Sequence, residues 1–287
     1  MPCFINLPLR WVHEQPAWTD WFVSGRIAPE LGLDAGSLAL AAKWHQDMAA
    51  RFADAGLSCA VHLPFWAVDP SDPDAEKAAL AGDALRRGAE LAGIYRARHM
   101  VGHPYHRTRS REKRMDAWLE ASRRVWPELP RIAGAPLFLE NTYETAPDGI
   151  ALLVRSLREA GEPGVGVCFD LGHWRTFAGK SAQEELDPWL DAFCPFALHL
   201  HLHDNDGTAD QHVGMGSGDV PFDALFAKLA TRGKSVTATL EPHDTESFAA
   251  SIAWLGTHAA VASRLGWEKP RMDALPLAEI EKNIMKE

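Results

Sequence analysis

The stretch Val165–Trp174, VGVCFDLGHW, contains an unbroken apolar run that stops at a carboxylate. Valine, cysteine and phenylalanine in such a run are typical of a strand buried on both faces, as in a parallel sheet. Asp170 ends the run, and His173 follows three residues later. At the carboxyl end of a strand, these two side chains could bind a metal, form an acid/base pair, or only cap a helix and pack. The ends of the other strands decide between these alternatives.

Short apolar runs alternate with longer helical patterns along the chain. The predicted strands are Cys3–Leu7, Ile27–Leu33, Ser58–Leu63, Arg98–His103, Ala135–Glu140, Val165–Asp170, Ala197–His203 and Ser235–Glu241. The main predicted helices are Ser37–Ala55, Asp74–Ala92, Arg111–Val125, Pro147–Ala160 and Phe222–Thr231. Eight strands, each followed by a helix, predict an α/β fold of the (β/α)8 TIM-barrel type. We assign the barrel to residues 1–266 and predict a helical C-terminal extension over 267–287. Pro29 is evidence against the second predicted strand, because proline is rare inside a sheet.

The composition is ordinary for a soluble globular protein, with 46% hydrophobic and 24% charged residues. No run approaches the roughly 20 apolar residues of a membrane span, and the N-terminus lacks the pattern of a signal peptide. The four cysteines show no CxxC spacing, which favours free thiols and a cytoplasmic location. A net charge of −10 disfavours a nucleic-acid partner, so we expect a small-molecule substrate. The C-terminal extension could serve as a contact in a homo-oligomer, although a solvated tail is the alternative.

Several predicted strands end in a histidine or a carboxylate, and active sites of such barrels are built from these ends. The residues at or just after these ends are His62, His103, Glu140, Asp170, His173, His199, His201, His203 and Glu241, followed in a loop by Asp210 and His212. Strand alternation places the three histidines of HLHLH on one face. Four carboxylates in one cavity would repel one another unless cations compensate. Imidazole and carboxylate together suit Zn²⁺ or Mn²⁺, with Co²⁺, Fe²⁺ or Ni²⁺ as alternatives. The sequence therefore predicts a divalent-metal site.

The motifs VHLPFW, GHPYH, LENT, VGVCFDLGH, HLHDND, DQH and LEP resemble those of the xylose isomerase-like TIM-barrel superfamily. That superfamily includes sugar isomerases and epimerases, related dehydratases and endonuclease IV. In that superfamily these strand ends hold one to three divalent ions, and we predict two or three per chain. The ligands that the resemblance implies are His62, His103, Glu140, Asp170, His173, His201, Asp210, His212 and Glu241. His201 is preferred over His203 because the family pattern His-x-x-Asp matches His201 and Asp204. Two departures are a first strand without the His and Gly-rich segment of endonuclease IV, and Ser217 where the family usually has Glu.

Two enzymatic functions stay open at this point. In a sugar or sugar-phosphate isomerase or epimerase, the metal would hold two adjacent oxygens and stabilise an enediolate, while Glu140 and Glu241 move the proton. In a phosphoesterase of the endonuclease IV type, two or three metals would activate a hydroxide. His62 and His103 favour the phosphoesterase, whereas the N-terminal departure favours the isomerase. A non-enzymatic metal sensor has little support.

Other side chains are candidates for substrate binding. Trp66 and Trp174 could stack on a sugar ring or pack the barrel rim. In the basic run RTRSREKR, Arg107 and Arg109 are expected to bind an anionic group of the substrate, since arginine forms two parallel hydrogen bonds with phosphate or carboxylate. The alternative for this run is a solvated helix face. His203 is a further candidate for substrate contact.

Overall fold

Eight parallel strands close into a barrel in chain order, in a computed structural model that describes residues 2–104, 111–178 and 186–269. The strands are β1 (Phe4–Pro8), β2 (Ala28–Gly32), β3 (Ala60–His62), β4 (Met100–Gly102), β5 (Leu137–Glu140), β6 (Val165–Asp170), β7 (Leu198–Leu202) and β8 (Thr237–Leu240). β1 pairs with β8 and completes the ring. The predicted TIM barrel and all of its strands are confirmed.

Helices surround the barrel. In the described residues they are α1 (Leu9–Glu14), α2 (Ala17–Gly25), α3 (Ala35–Leu38), α4 (Ala42–Asp54), α5 (Ala75–Ile94), α6 (Arg111–Val125), α7 (Glu128–Ala133), α8 (Asp148–Glu159), α9 (Leu171–His173), α10 (Leu186–Phe193), α11 (Phe222–Thr231), α12 (Thr245–Thr257) and α13 (Ala259–Leu265), with a π-helical turn over Trp174–Ala178. No helix in these ranges is long and apolar enough to cross a membrane. Most of the predicted C-terminal extension, residues 270–287, lies outside the described residues.

The helix predicted over 37–55 is interrupted, and α3 and α4 replace it. α3 is one turn long and begins at a capping box formed by Asp34 and Ser37. The carbonyl of Ser37 lies 3.0 Å from Nε2 of the buried His45 in α4. The side chain of His45 in α4 therefore provides a hydrogen-bond partner for a carbonyl at the end of α3, so the helix can be interrupted there.

Pro29 does not prevent the second strand from forming. It lies opposite Ile5 of β1, and the strand also pairs with β3 on its other side. The fixed φ of proline suits extended backbone, and proline lacks only one hydrogen-bond donor, the backbone N–H. It therefore removes at most one hydrogen bond between neighbouring strands. The next residue, Glu30, is thereby placed in the middle of a fully enclosed strand.

Alternation along the strands separates an apolar outer core from a polar barrel interior. The three leucines of β7 belong to the main core between the strands and the helices. His199, His201 and His203 of the same segment contact inward-facing residues of neighbouring strands instead. The predicted common face of the three histidines is confirmed, and it is the inner face of the barrel.

Candidate metal centre at the mouth of the barrel

Glu140, at the end of β5, lies at the centre of a ring of imidazoles. Its Oε2 is 3.1 Å from Nε2 of both His62 and His103 and 3.4 Å from Nδ1 of His201. Its Oε1 is 3.2 Å from Nδ1 of His173. Burial alone would raise the pKa of Glu140, but His201, His103 and the other imidazoles outweigh burial and hold this pKa well below its usual range. Glu140 is therefore an ionised carboxylate shared by four histidines.

Asp170, at the end of β6, has two roles. Its carboxylate accepts the backbone N–H of His173 at 2.6 Å, which caps the short helix α9. The same carboxylate lies 3.1 Å and 3.2 Å from Nε2 of His203. Asn141 holds this strand end by bonding to the backbone N–H and C=O of Asp170, both at 2.9 Å. A Cβ at Gly172 would lie 1.8 Å from the ring of His203, so glycine is required for this close approach.

A second cluster lies nearer to solvent, and we call it the outer group. Its members, whose ligand atoms lie within 4.8 Å of one another, are His173, His203, Asp210 and His212. Oδ2 of Asp210 lies 3.2 Å from Nε2 of His173 and 3.4 Å from Nε2 of His212. The rings of His203 and His212 stack with centroids 3.6 Å apart. His203, predicted as a substrate contact, thus lies among potential metal ligands.

Asp204, which completed the His-x-x-Asp pattern, holds the loop that carries the outer group. Its carboxylate accepts backbone N–H groups of Gly216 at 2.9 Å, Gly218 at 3.0 Å and Val220 at 2.9 Å. Its backbone also pairs with Val213 in both directions. The side chain is therefore used to fold the loop back over the barrel.

His201 lies one layer deeper than His203 and is fully buried. Its Nδ1 is 3.2 Å from Glu241, 3.4 Å from Glu140 and 3.8 Å from Asp170. We call His201 and these three carboxylates the central group. On the opposite side, Nε2 of His201 is 3.1 Å from Oε1 of Glu30, a residue that the sequence analysis did not assign to the site. The sequence signal for Glu30 was a charged residue inside an enclosed strand, but Pro29 beside it obscured that strand.

A divalent ion fits the chemistry of this centre. Nδ1 of His201 and Nδ1 of His203 are buried and have no hydrogen-bond partner among the described residues. A buried imidazole nitrogen beside three carboxylates combines the nitrogen and oxygen donors that Zn²⁺ and related ions prefer. Buried like-charged carboxylates also require compensating positive charge.

Without metal, protons on the histidines supply that charge. Burial opposes a charged His173, but Asp170, Asp210 and Glu140 outweigh burial and raise its pKa well above its usual range. Burial likewise opposes charge on His201 and His212. Cys168 and nearby carboxylates raise the pKa of His201, and Asp210 with other carboxylates raises that of His212. In the metal-free centre, His173, His201 and His212 therefore form imidazolium–carboxylate pairs.

This network predicts the pH dependence of stability. A histidine whose folded pKa is raised stabilises the fold below its unfolded pKa of about 6.5, and the stabilisation is lost as pH rises through the folded pKa. The melting temperature of metal-free protein should therefore fall as the pH rises above ~6.5. Zinc requires neutral imidazoles, so its stabilising effect should grow over the same range. Thermal melts with chelator and with ZnCl₂ test this, and a flat or rising metal-free curve would contradict it.

The remaining site candidates lie in different surroundings. Trp66 is 83% exposed beyond β3, where it is accessible to a substrate. Trp174 is fully buried beside Phe169, and this burial favours the rim-packing alternative over a substrate contact. His199 hydrogen-bonds to Thr237, and burial next to His99 lowers its pKa to about 3, so it is a neutral part of the interior.

Arg107 and Arg109 lie outside the described residues, and their role in anion binding stays a prediction. Two aromatic side chains that were not assigned also border the centre. Phe65 packs against the rings of His62 and His103 at 5.3 Å and 4.8 Å. His243, two residues beyond Glu241, stacks on His212 at 3.8 Å. Rings on both sides of the cluster thus support its histidines.

Comparison with known proteins gives matches along most of the chain. The model of the family described as xylose isomerase-like TIM barrel matches residues 27–258. The TTHB071 protein from Thermus thermophilus, whose crystals were soaked with ZnCl₂, is 28% identical, with 91% of this chain and 99% of that chain covered and a TM-score of 0.70. A D-tagatose 3-epimerase-like protein is 19% identical, with 82% and 89% covered and a TM-score of 0.67. MJ1311 of Methanocaldococcus jannaschii, an uncharacterized protein, is 23% identical over 222 residues, 74% of each chain.

Proposed function

We propose that this chain, which belongs to the xylose isomerase-like TIM-barrel family, is a divalent-metal-dependent isomerase or epimerase of a sugar or sugar phosphate. The observation that carries this proposal is the placement of Glu140 and Glu241. Glu140 ends β5 and Glu241 follows β8, and both contact Nδ1 of His201, at 3.4 Å and 3.2 Å. Two carboxylates that face one space can remove a proton from one carbon and return it to a neighbouring carbon.

Three groups of side chains have donor sets suited to divalent ions. The first consists of His62, His103 and Glu140, and we call it the β3–β5 group. The other two are the central group and the outer group. The nitrogen and oxygen donors suit Zn²⁺ or Mn²⁺, with Co²⁺, Fe²⁺ and Ni²⁺ as alternatives. When bound, such ions polarise substrate oxygens and neutralise the negative charge that develops on them. The zinc-soaked structure of TTHB071 supports metal binding in this fold.

The two glutamates have different environments, and this supports different roles. Burial raises the pKa of Glu241, and the nearby carboxylates of Glu140 and Asp170 add to that rise against His201. The imidazoles around Glu140 hold its pKa below the usual range. The carboxyl group with the raised pKa is the stronger base, and the one with the lowered pKa stays ionised. We assign to Glu241 the removal of the substrate proton and its return to the neighbouring carbon, and we assign the ionised Glu140 to orienting the substrate.

A second candidate function is hydrolysis of a phosphoester. His62 and His103 contact the same oxygen of Glu140, both at 3.1 Å, and the outer group adds further ligands. A mononuclear isomerase would not need these groups. The four carboxylates of the three groups carry −4, so two divalent ions leave a neutral centre and three leave +2, which attracts a phosphate anion.

Metal analysis combined with two activity assays separates these functions. Metals per chain are counted by mass spectrometry, isomerisation is followed as uptake of deuterium from D₂O into carbon-bound positions, and hydrolysis as release of phosphate. The double variant His62→Ala/His103→Ala should lose one ion per chain and any hydrolysis, while isomerisation by the central group continues. His45→Gln is the matched control, because His45 is a buried histidine of α4 that bonds to Ser37 and Tyr95. Phosphate release by the wild-type protein without any isomerisation would overturn the isomerase proposal.

A further inference from the structure

A polar network fills the barrel below the metal centre, and the proposed function does not use it. Oε2 of Glu30 accepts the hydroxyl of Thr239 at 2.7 Å and lies 3.3 Å from His99 and 3.5 Å from His199. All four residues are fully buried. Burying a carboxylate is unfavourable unless its partners compensate, so the presence of Glu30 requires an explanation.

Fold stability does not supply that explanation. Phe4, Ala28 and Ala60 form a small apolar cluster in the barrel interior, and Phe138 forms another with Val101. Apolar side chains therefore fit in this space. A well-packed apolar residue often stabilises a protein as much as a buried charge with partners, or more.

The second oxygen of Glu30 points toward the metal centre. Oε1 lies 3.1 Å from Nε2 of His201 as an ion pair, without the geometry of a regular hydrogen bond. The other ring nitrogen of His201 faces Glu140 and Glu241. His201 thus connects a buried carboxylate below it with the carboxylates of the central group above it.

An ionised carboxylate only accepts, so it favours a proton on the imidazole nitrogen beside it. Metal binding requires His201 to lose one of its two ring protons, and the neutral imidazole that keeps its proton on Nε2 presents a lone pair at Nδ1. We propose that Glu30 is a positioning residue of the metal centre, which keeps the proton of His201 on Nε2 and directs the Nδ1 lone pair to the space between Glu140, Asp170 and Glu241. This inference rests on the metal dependence in the proposed function, and it is independent of the reaction catalysed.

Glu30→Gln tests this role because glutamine has the same size but can donate from its amide. The hydroxyl of Thr239 donates to Oε2, so the carbonyl oxygen of glutamine is expected there and its NH₂ beside Nε2. That donor favours the opposite tautomer of His201, with the proton on Nδ1, where it blocks metal binding. We expect Zn²⁺ affinity to fall about 10- to 100-fold, as for other residues that orient a metal-bound histidine. Affinity is measured by competition with a chelating indicator, and the absorption spectrum of Co²⁺-substituted protein should change with the loss of a nitrogen ligand.

Matched variants separate positioning from a general structural effect. His99→Leu removes another neighbour of Glu30 but leaves the contact with His201, so wild-type Zn²⁺ affinity is expected. Glu30→Asp keeps an acceptor-only group and should recover most of the affinity and the wild-type Co²⁺ spectrum. In a His201→Gln background, Glu30→Gln should have no further effect on affinity, since both changes act through the same ligand.

Several results would overturn the inference. They are wild-type affinity in a folded Glu30→Gln protein, an equal loss in His99→Leu, or an additive loss in the double variant. Wild-type protein that binds no divalent ion would instead overturn the proposed function, and the inference with it. Metal that binds normally to the wild type while no isomerisation is found would refute the proposed reaction alone.

Discussion

Glu140→Gln is expected to release at least one divalent ion per chain and to abolish activity. Glu140 contacts His62, His103, His173 and His201, and it belongs to both the β3–β5 group and the central group. Removing one partner from a buried charged network costs about 3–5 kcal/mol. If this cost falls on metal binding, affinity drops roughly a hundred- to several-thousand-fold. Mass-spectrometric metal counts and titration with a chelating indicator measure both quantities.

The matched control for this experiment is Glu162→Gln. Glu162 is also buried, is ion-paired with Arg131, and lies before β6, at the end of the strand away from the mouth. This variant should lose some stability and keep its full metal content. If Glu140→Gln retained wild-type metal stoichiometry and affinity, Glu140 would not be a ligand, and the assignment of both groups would fail.

Glu241→Gln is expected to reduce kcat by about 10²- to 10⁴-fold while the fold persists. The amide keeps the size of the side chain but loses the basicity needed to remove a proton. Backbone contacts hold the position independently, because the N–H of Glu241 bonds to Leu202 at 3.2 Å and its carbonyl lies 3.0 Å from Nδ1 of His212. Kinetics on an identified sugar substrate, deuterium exchange and a thermal melt distinguish lost chemistry from lost structure.

Glu246→Gln, an exposed change in the first turn of α12, controls for the altered charge of this region. Its kcat should equal that of the wild type. Turnover of Glu241→Gln at the wild-type rate would exclude Glu241 as the base. A fall in metal content that accounts for all of its lost activity would assign Glu241 to metal binding instead of proton transfer.

The barrel and most of the candidate ligands could be predicted from the sequence because both depend on local patterns. Side chains of a strand alternate between two faces, so LHLHLH over residues 198–203 separates three histidines from three leucines whatever surrounds it. Parallel strands of a barrel end at the same rim, so Glu140, Asp170 and Glu241 had to lie near one another. Asp170 also retained its local role as a cap of α9, the alternative that the sequence left open.

Only the tertiary structure decided how deeply each side chain is buried. Trp174 follows a strand end, as Trp66 does, yet one is fully buried beside Phe169 and the other is 83% exposed. Which tryptophan faces solvent depends on the helices packed outside the barrel, and no local pattern records their positions.

The layers inside the barrel depend in the same way on the stagger between strands. Closure of the barrel shifts each strand relative to the next, and these shifts accumulate around the ring. His201 pairs in register with Asp170 on one side and with Thr239 on the other. The accumulated stagger places Glu30 of β2 directly beneath His201. The sequence determined that each of these side chains faces inward, and only the closed barrel decided which of them meet at one level.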